Sequence, residues 1–397
     1  MATKDAALEA IALALEARQD ELLEANAADV EAGRENGLSD ALLDRLSLDP
    51  ARIAGIAAGA RAVAALPDPV GEVVEGRRLP NGLDLTKVRA PLGVVAVVYE
   101  ARPNVTIDAA ALALKSGNAI VLRGSSSAAQ SNAVLAAIAA EAASGAGVPE
   151  GAIGLVGGGG REELAELATA DGLVDLIIPR GGEGLKQALE AVATVPVLYA
   201  ASGVCHVFLD ASAEVEAGVA IAVNAKVQRP GVCNAMETLL VHADAAPAVL
   251  GPALRALADA GVELRGCGRT RALAGPDGPP VAVATEEDWA AEYLALTLAV
   301  RVVDTLDEAV DHIATYGSGH SEAIVTRDTA SARAFQRTVD AACVYVNAST
   351  RFTDGAEFGM GAEIGNSTQK LHARGPIGLR ELCSAKWLVE GDGHVRP

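Results

Sequence analysis

Between Pro91 and Tyr199 short aliphatic runs alternate with helical stretches, and this alternation constrains the fold more than any other feature of the chain. Residues 94–98, 119–122, 153–156, 173–178 and 195–199 read as strands. Residues 106–115, 126–143, 162–170 and 184–193 read as helices. Strands of this kind, apolar throughout and separated by helices, belong to a parallel sheet covered on both faces. Right-handed crossovers then wind the chain into a doubly wound α/β domain.

The second half repeats the style with other spacings. Strands are expected at 207–209, 238–241, 298–303, 322–325 and 344–346, with helices at 214–226, 246–260, 306–316 and 329–339; residues 266–280 read as a loop. A second α/β domain follows. Ahead of the first domain, residues 4–32 read as one helix. Ser39 starts a short second helix, and Asp49-Pro50 starts a third, with Asp as cap and Pro in the first turn. Residues 82–90 alternate Leu83, Leu85 and Val88 with polar positions, the pattern of a strand or hairpin arm.

Half of the 397 residues are hydrophobic but only 3% are aromatic, so the cores must be aliphatic. The formal charge is −20, which removes the basic footprint needed for nucleic acid. Anionic small molecules remain possible ligands where local arginines or helix N-termini meet them. Five cysteines, an odd number with no C-x-x-C pair, argue against a disulfide framework and a structural zinc. The opening MATKDAALEA is acidic and helical, unlike a signal peptide, and no apolar run is long enough for a membrane span. A cytoplasmic protein with reduced thiols and no metal is expected.

Three loops carry candidate chemistry. In VGGGGREEL (156–164), Gly157 and Gly159 have dinucleotide-loop spacing, but Glu162 stands where a third glycine is required. It reads either as a structural turn or as a loop beside a cofactor. In IIPRGGEGL (177–185), Gly181 and Gly182 allow an anion to approach a helix start, with Arg180 able to pair with it; a tight turn with a solvated arginine is the competing reading. Cys233 follows a helix end and a Pro-Gly turn, just before a strand. A loop thiol near cations or helix ends can be reactive, whereas a buried one is inert. Cys205, Cys267, Cys343 and Cys383 read as inert. His206 reads as a strand-start histidine with a packing or hydrogen-bonding role, which argues against a cysteine-protease arrangement.

Longer stretches resemble a known family. PLGVVAVVYEARPNVTIDAAALALKSGNAIVLRG (91–124), DLIIPRGGEGL (175–185), GVCHVFLD (203–210), NAKVQRPGVCNAMETLLV (224–241), TYGSGHSEAIVT (315–326) and VYVNASTRFTDGAEFGMGAEIGNSTQKLHARGPIGL (344–379) are similar to the γ-glutamyl phosphate reductases, or glutamate-5-semialdehyde dehydrogenases, of the aldehyde dehydrogenase superfamily. The resemblance runs along the whole chain in order. It implies an NADP(H)-binding domain over 1–77 and 92–202, a catalytic domain over 203–371, and oligomerisation elements over 78–91 and 372–397. By the same resemblance Cys233 is the nucleophile and Asn104 the oxyanion-hole amide. Arg123 and Glu292 contact the cofactor, and Arg180, Gly181 and Gly182 stand as cofactor-side candidates. Arg351 and Arg229 are candidates for an anionic substrate group.

The implied activity is NADPH-dependent reduction of L-glutamyl 5-phosphate to L-glutamate 5-semialdehyde and phosphate through a Cys233 thioester, the second step of proline biosynthesis. A homodimer or higher oligomer is implied, with glutamate 5-kinase as the partner that supplies the acyl phosphate. Ordinary aldehyde dehydrogenases carry a general-base glutamate where this chain has TyrAlaAlaSerGly (199–203), and such enzymes need that base to activate water against the thioester. The alternatives are a non-phosphorylating aldehyde dehydrogenase and a catalytically inactive protein of the same fold.

Overall fold

The computed structural model describes residues 2–157, 160–199 and 202–396. Two compact units divide the chain: Met1–Ala200 with Gly359–Gly365 and Leu371–Pro397, and Ala201–Phe358 with Asn366–Lys370. The division expected after residue 202 falls two residues earlier, and the stretch 359–365 joins the first unit rather than the second.

The first unit contains a four-stranded parallel sheet in the order Ile153–Leu155, Ala119–Gly124, Val94–Tyr99, Leu176–Arg180. The chain starts near the centre, winds outward through two strands, then crosses to the other side. This is the doubly wound pattern read from the alternation. One face of the sheet packs on Ala2–Ala17, Pro50–Ala65, Asn104–Lys115 and Ala129–Gly145 through side chains such as Leu8, Ile53, Leu112 and Leu135. The other face takes Leu164, Leu167 and Leu189 from Arg161–Ala168 and Glu183–Glu190. Both faces are covered, and this is why Val94–Tyr99 is apolar at every position.

Two expectations in this unit need correction. Residues 195–199 are not a fifth strand; only Val197 forms a bridge, to Ile177. Pro196 has no N–H to donate, so a ladder cannot extend through it. The N-terminal helix is not continuous either. It breaks at Arg18, between Ala2–Ala17 and Gln19–Glu35, where the guanidinium joins Glu21 and Glu141. The break leaves Leu15 and Leu22 both inside the same core. The two predicted caps are present: Ser39 accepts from Leu42 N–H, and Asp49 accepts from Arg52 N–H.

A separate antiparallel sheet joins Val73–Arg78, Asp84–Pro91 and Cys383–Glu390. The arm therefore starts before residue 78. Val73–Arg78 is exposed throughout, so it carries no in-out alternation that would announce a strand.

The second unit holds a seven-stranded parallel sheet in the order Val281–Val283, Glu263–Gly266, Thr297–Val303, Met236–His242, Cys205–Leu209, Ser321–Val325, Cys343–Val346. The stretch read as a loop contains a short helix, Gly268–Ala274, between two short strands, of which Val281–Val283 is the sheet edge. Those strands have four and three residues, too few to register as a period. Leu239, Val241, Leu250 and Leu254 fill one side of the sheet, and Phe208, Phe335, Ile313 and Ile324 the other. No helix among the described residues is long and apolar enough to cross a membrane.

Candidate active site

In the second unit the helix Val215–Val227 runs into a turn, and that turn presents Cys233 just before the strand Met236–His242. In a parallel sheet a helix-to-strand loop lies at the amino ends of the strands. Gly203 precedes Cys205–Leu209 and Glu292 precedes Thr297–Val303, so both lie at that same edge. The sheet thus gathers its chemistry at the end opposite to the one that open α/β sheets ordinarily use.

Backbone packing makes this turn rigid. Gly203 lies so close to Cys233 that a Cβ built on it would overlap the Cys233 carbonyl group. Cys205 Sγ sits 3.2 Å from the same carbonyl oxygen. The Glu292 carboxylate accepts from Gly203 N–H at 2.7 Å. The next residue, Asn234, is buried; its side chain donates to the Thr353 carbonyl at 2.9 Å, and its own carbonyl accepts from Thr350 Oγ1 at 2.7 Å.

The segment that carries Glu292 is braced in turn. Tyr293 Oη donates to Asp288 Oδ1 at 2.8 Å, and Arg265 and Lys226 lie over its ring. Asp288 also accepts from Thr285 N–H and Arg265, and these partners hold its carboxyl down at about 2 despite burial. Leu294, at φ +51°, donates to Glu237 at 3.4 Å. Glu237 pairs with Lys226 at 2.5 Å, both fully buried. Burial drives the pair toward its neutral form, raising the Glu237 carboxyl to about 7 and lowering Lys226.

Arg351 stands over the Cys233 turn on the segment Thr350–Phe352. Its Nε donates to Gln228 Oε1 at 2.8 Å, and Nη1 donates to Asn234 Oδ1. Burial first, then the like charge of Arg229, lowers its pKa; the charges of Asp354, Cys233 and Glu357 act in the other direction. Arg351 and Arg229 are therefore neighbours, and both belong to the surroundings of Cys233. A cavity of about 230 Å³ lies here, lined by Asn224, Gln228, Arg351, Phe352, Asp354 and Glu357.

The remaining cysteines divide by environment. Burial pushes the Cys205 thiol far up and Cys383 to about 11. Cys267 differs. Burial opposes ionisation, but hydrogen bonds from Thr270 outweigh it, and its pKa falls below the ordinary value while it caps Gly268–Ala274. His206 is fully buried and shares Glu322 through both its backbone N–H and Nδ1, a packing role.

The first unit holds the other candidates. Asn104 opens the helix Asn104–Lys115 and donates to Asp108 at 2.8 Å. Burial raises the Asp108 carboxyl, opposed by Asn104 and by the charge of Arg180. Asn104, Asp108 and Arg180 thus form one group. The backbone of the Arg180-Gly181-Gly182 turn meets an anion of the protein's own: Glu100 accepts from Gly182 N–H at 3.1 Å. Arg123 ends its strand and donates to the Gly160 carbonyl at 3.0 Å. It lines a cavity of about 280 Å³ at the carboxyl ends of the strands, with Glu100, Ser125, Ser126 and Arg161. Gly157 approaches Glu163, whereas Gly158 and Gly159 lie outside the described residues, as do Ala200 and Ala201 of the 199–203 stretch. Among the described residues no cluster of metal-ligating side chains occurs.

Sequence reasoning missed Gly203, Asn234, Asp108 and Asp288. A lone glycine or acid carries no local signal; only the fold shows what each one touches.

The aldehyde dehydrogenase family model matches residues 1–263. The gamma-glutamyl phosphate reductase of Thermobifida fusca (strain YX) is 56% identical over 393 residues, 99% of this chain and 93% of that protein. That of Heliobacterium modesticaldum is 55% identical over the same shares. The chain belongs to the γ-glutamyl phosphate reductases of the aldehyde dehydrogenase family. The crystal structure of the γ-glutamyl phosphate reductase from Thermotoga maritima superposes with a TM-score of 0.96 at 47% identity, covering 99% of this chain and 94% of that one. The aldehyde-dehydrogenase-like fold extends to an acetylating aldehyde dehydrogenase from Geobacillus thermoglucosidasius, at 21% identity and a TM-score of 0.68.

Proposed function

We propose that this chain is an NADPH-dependent reductase that converts L-glutamyl 5-phosphate to L-glutamate 5-semialdehyde and phosphate, the second step of proline biosynthesis. The observation that carries this reading is the charge around Cys233: the Arg351 guanidinium interacts with it, with Arg229 close to Arg351, while the Glu292 carboxylate is engaged by Gly203 N–H. Cations suit an acyl phosphate, and a bound carboxylate is poorly placed to activate water.

The Cys233 thiolate attacks the acyl carbonyl, the C–O bond to phosphate breaks, and phosphate leaves with the electron pair. The acyl group is then held as a thioester on Cys233. We assign the Asn104 amide to the oxyanion, with Asp108 fixing its orientation. Cys233 is a thiolate again when the aldehyde leaves.

The residues of the first unit fit a phosphorylated dinucleotide. The cavity lies at the carboxyl ends of parallel strands and offers two guanidinium groups, Arg123 and Arg161, and two hydroxyls, Ser125 and Ser126. These residues would hold it, and it supplies the hydride when bound. Met1–Ala200 is accordingly the NADP(H) unit, and Ala201–Phe358 the catalytic unit. The assignment of Glu292 to the cofactor ribose stands beside its observed bond to Gly203. We place the enzyme in the cytoplasm, where its five free thiols stay reduced. There it takes its acyl phosphate from glutamate 5-kinase and associates through the arm sheet into a homodimer or higher oligomer.

The test is NADP reduction by L-glutamate 5-semialdehyde, followed by absorbance with and without phosphate. Sustained turnover is expected only with phosphate, or with arsenate in its place; without either, a single-turnover burst is expected. Sustained phosphate-free turnover to glutamate would make the chain an ordinary aldehyde dehydrogenase, and no reduction at all would make it an inactive relative.

A further inference from the structure

The cavity beside Arg351 has mixed charge, and that matters for what it accepts. Arg351 is fastened on two sides, by Gln228 and by Asn234, so its guanidinium is fixed at the cavity wall. Asp354 and Glu357 line the same cavity. Neither acid forms an ion pair with Arg351 among the described residues, although both act on its charge. A site meant for phosphate alone would be weakened by two carboxylates, since like charges placed together repel. A ligand group that carries both signs at once reverses that penalty.

From this we propose that the cavity lined by Arg351, Asp354 and Glu357 is the specificity pocket for a zwitterionic amino-acid head, with the α-carboxylate on Arg351 and the α-ammonium on Asp354 and Glu357. The inference rests on the reading of Cys233 as the acyl acceptor and names the determinant that selects an amino-acid acyl phosphate over a plain dicarboxylic one. Its volume, about 230 Å³, admits such a head. Asn224 and Gln228 add neutral amides at the wall. Arg229 then remains for the phosphate end of the substrate. The two acids discriminate by sign: Asp354, half-buried and oriented by the Ala356 and Glu357 N–H groups that its Oδ1 accepts from, and the exposed Glu357 attract an ammonium and repel a ligand that brings only negative charge.

The experiment compares L-glutamate 5-semialdehyde with 5-oxopentanoate, which has the same chain and carboxylate but no amine, in phosphate-dependent NADP reduction. Wild type should favour the amino substrate by at least tenfold in kcat/KM. The double variant Asp354→Asn/Glu357→Gln should lose that preference through a fall of at least tenfold for the amino substrate, with kcat/KM for 5-oxopentanoate undiminished or raised because the like charges are gone, which also reports that it is folded. A second readout needs no turnover. L-glutamate should protect Cys233 from iodoacetamide at concentrations at least tenfold lower than glutarate in wild type, and at equal concentrations in the double variant, scored on the Cys233 peptide by mass spectrometry. An unchanged preference in the double variant, an equal fall for both substrates, or no preference in wild type would overturn the inference while leaving the reductase reading intact. If wild type oxidises neither aldehyde yet L-glutamate still protects Cys233 selectively, the reductase reading fails and the amino-acid pocket survives.

Discussion

Gly203 and Gly182 are both glycines in loops at strand ends, and their surroundings set them apart. A Cβ on Gly203 would overlap the backbone of Cys233, whereas one on Gly182 meets nothing within 4 Å. Backbone cannot move aside as a flexible side-chain end can. Gly203→Ala should therefore displace the Cys233 turn and lower kcat/KM more than a hundredfold. Gly182→Ala should stay within about twofold, measured in the same assay. Cys233→Ser should abolish turnover with an unchanged melting profile, because only the nucleophile is lost. Cys205→Ser, Cys267→Ser and Cys343→Ser should keep most of their activity. More than a few per cent activity in Cys233→Ser would assign the nucleophile elsewhere. Asn104→Ala should lower kcat by about a hundredfold, the ordinary loss for one oxyanion donor; near-normal kcat would make Asn104 a helix-start residue only.

The element that carries Glu292 has no regular secondary structure from Ala291 to Leu296, so side chains hold it. Asp288 is the hub: it caps its own short helix and binds Arg265 and Tyr293. Its folded pKa, about 2, lies below the ordinary value of 3.8. A lowered carboxylate pKa contributes stability that is fully present above about pH 4 and is lost as the pH falls toward 2. Asp288→Asn should thus cost about 2 kcal/mol near pH 6, and the gap between the two urea midpoints should narrow at pH 3. A gap independent of pH would show that folding does not lower the Asp288 pKa. Gly203 should loosen with Asp288→Asn, visible as faster hydrogen exchange at the 203–205 amides.

For the whole molecule, the net charge of −20 opposes association of like copies. The proposed association draws on the arm, where Val73, Val74, Trp387, Leu388 and Val389 are all exposed on one three-stranded sheet. Leu388→Asp/Val389→Asp should reduce the light-scattering mass to that of one 40.1 kDa chain, with the far-ultraviolet circular dichroism unchanged. An unaltered mass would remove the arm from the interface.

The sequence alone determined the winding of the first unit, because each strand there is apolar on both faces and each helix fills a gap of the right length. It also determined the helix starts at Ser39 and Asp49-Pro50, whose caps act within three residues. Long motifs around Cys233, Asn104 and Arg351 carried the family. Tertiary structure decided the rest. The strand expected at 195–199 failed because Pro196 and, on the partner strand, Pro179 offer no N–H on either side of the one bridge, and the strands Glu263–Gly266 and Val281–Val283 were too short to show a period. The bond between Glu292 and Gly203 spans 89 positions, and that between Arg351 and Asn234 spans 117. Local propensity acts over one or two turns of chain, so partners at such separations are chosen only when strands take their places in the sheet.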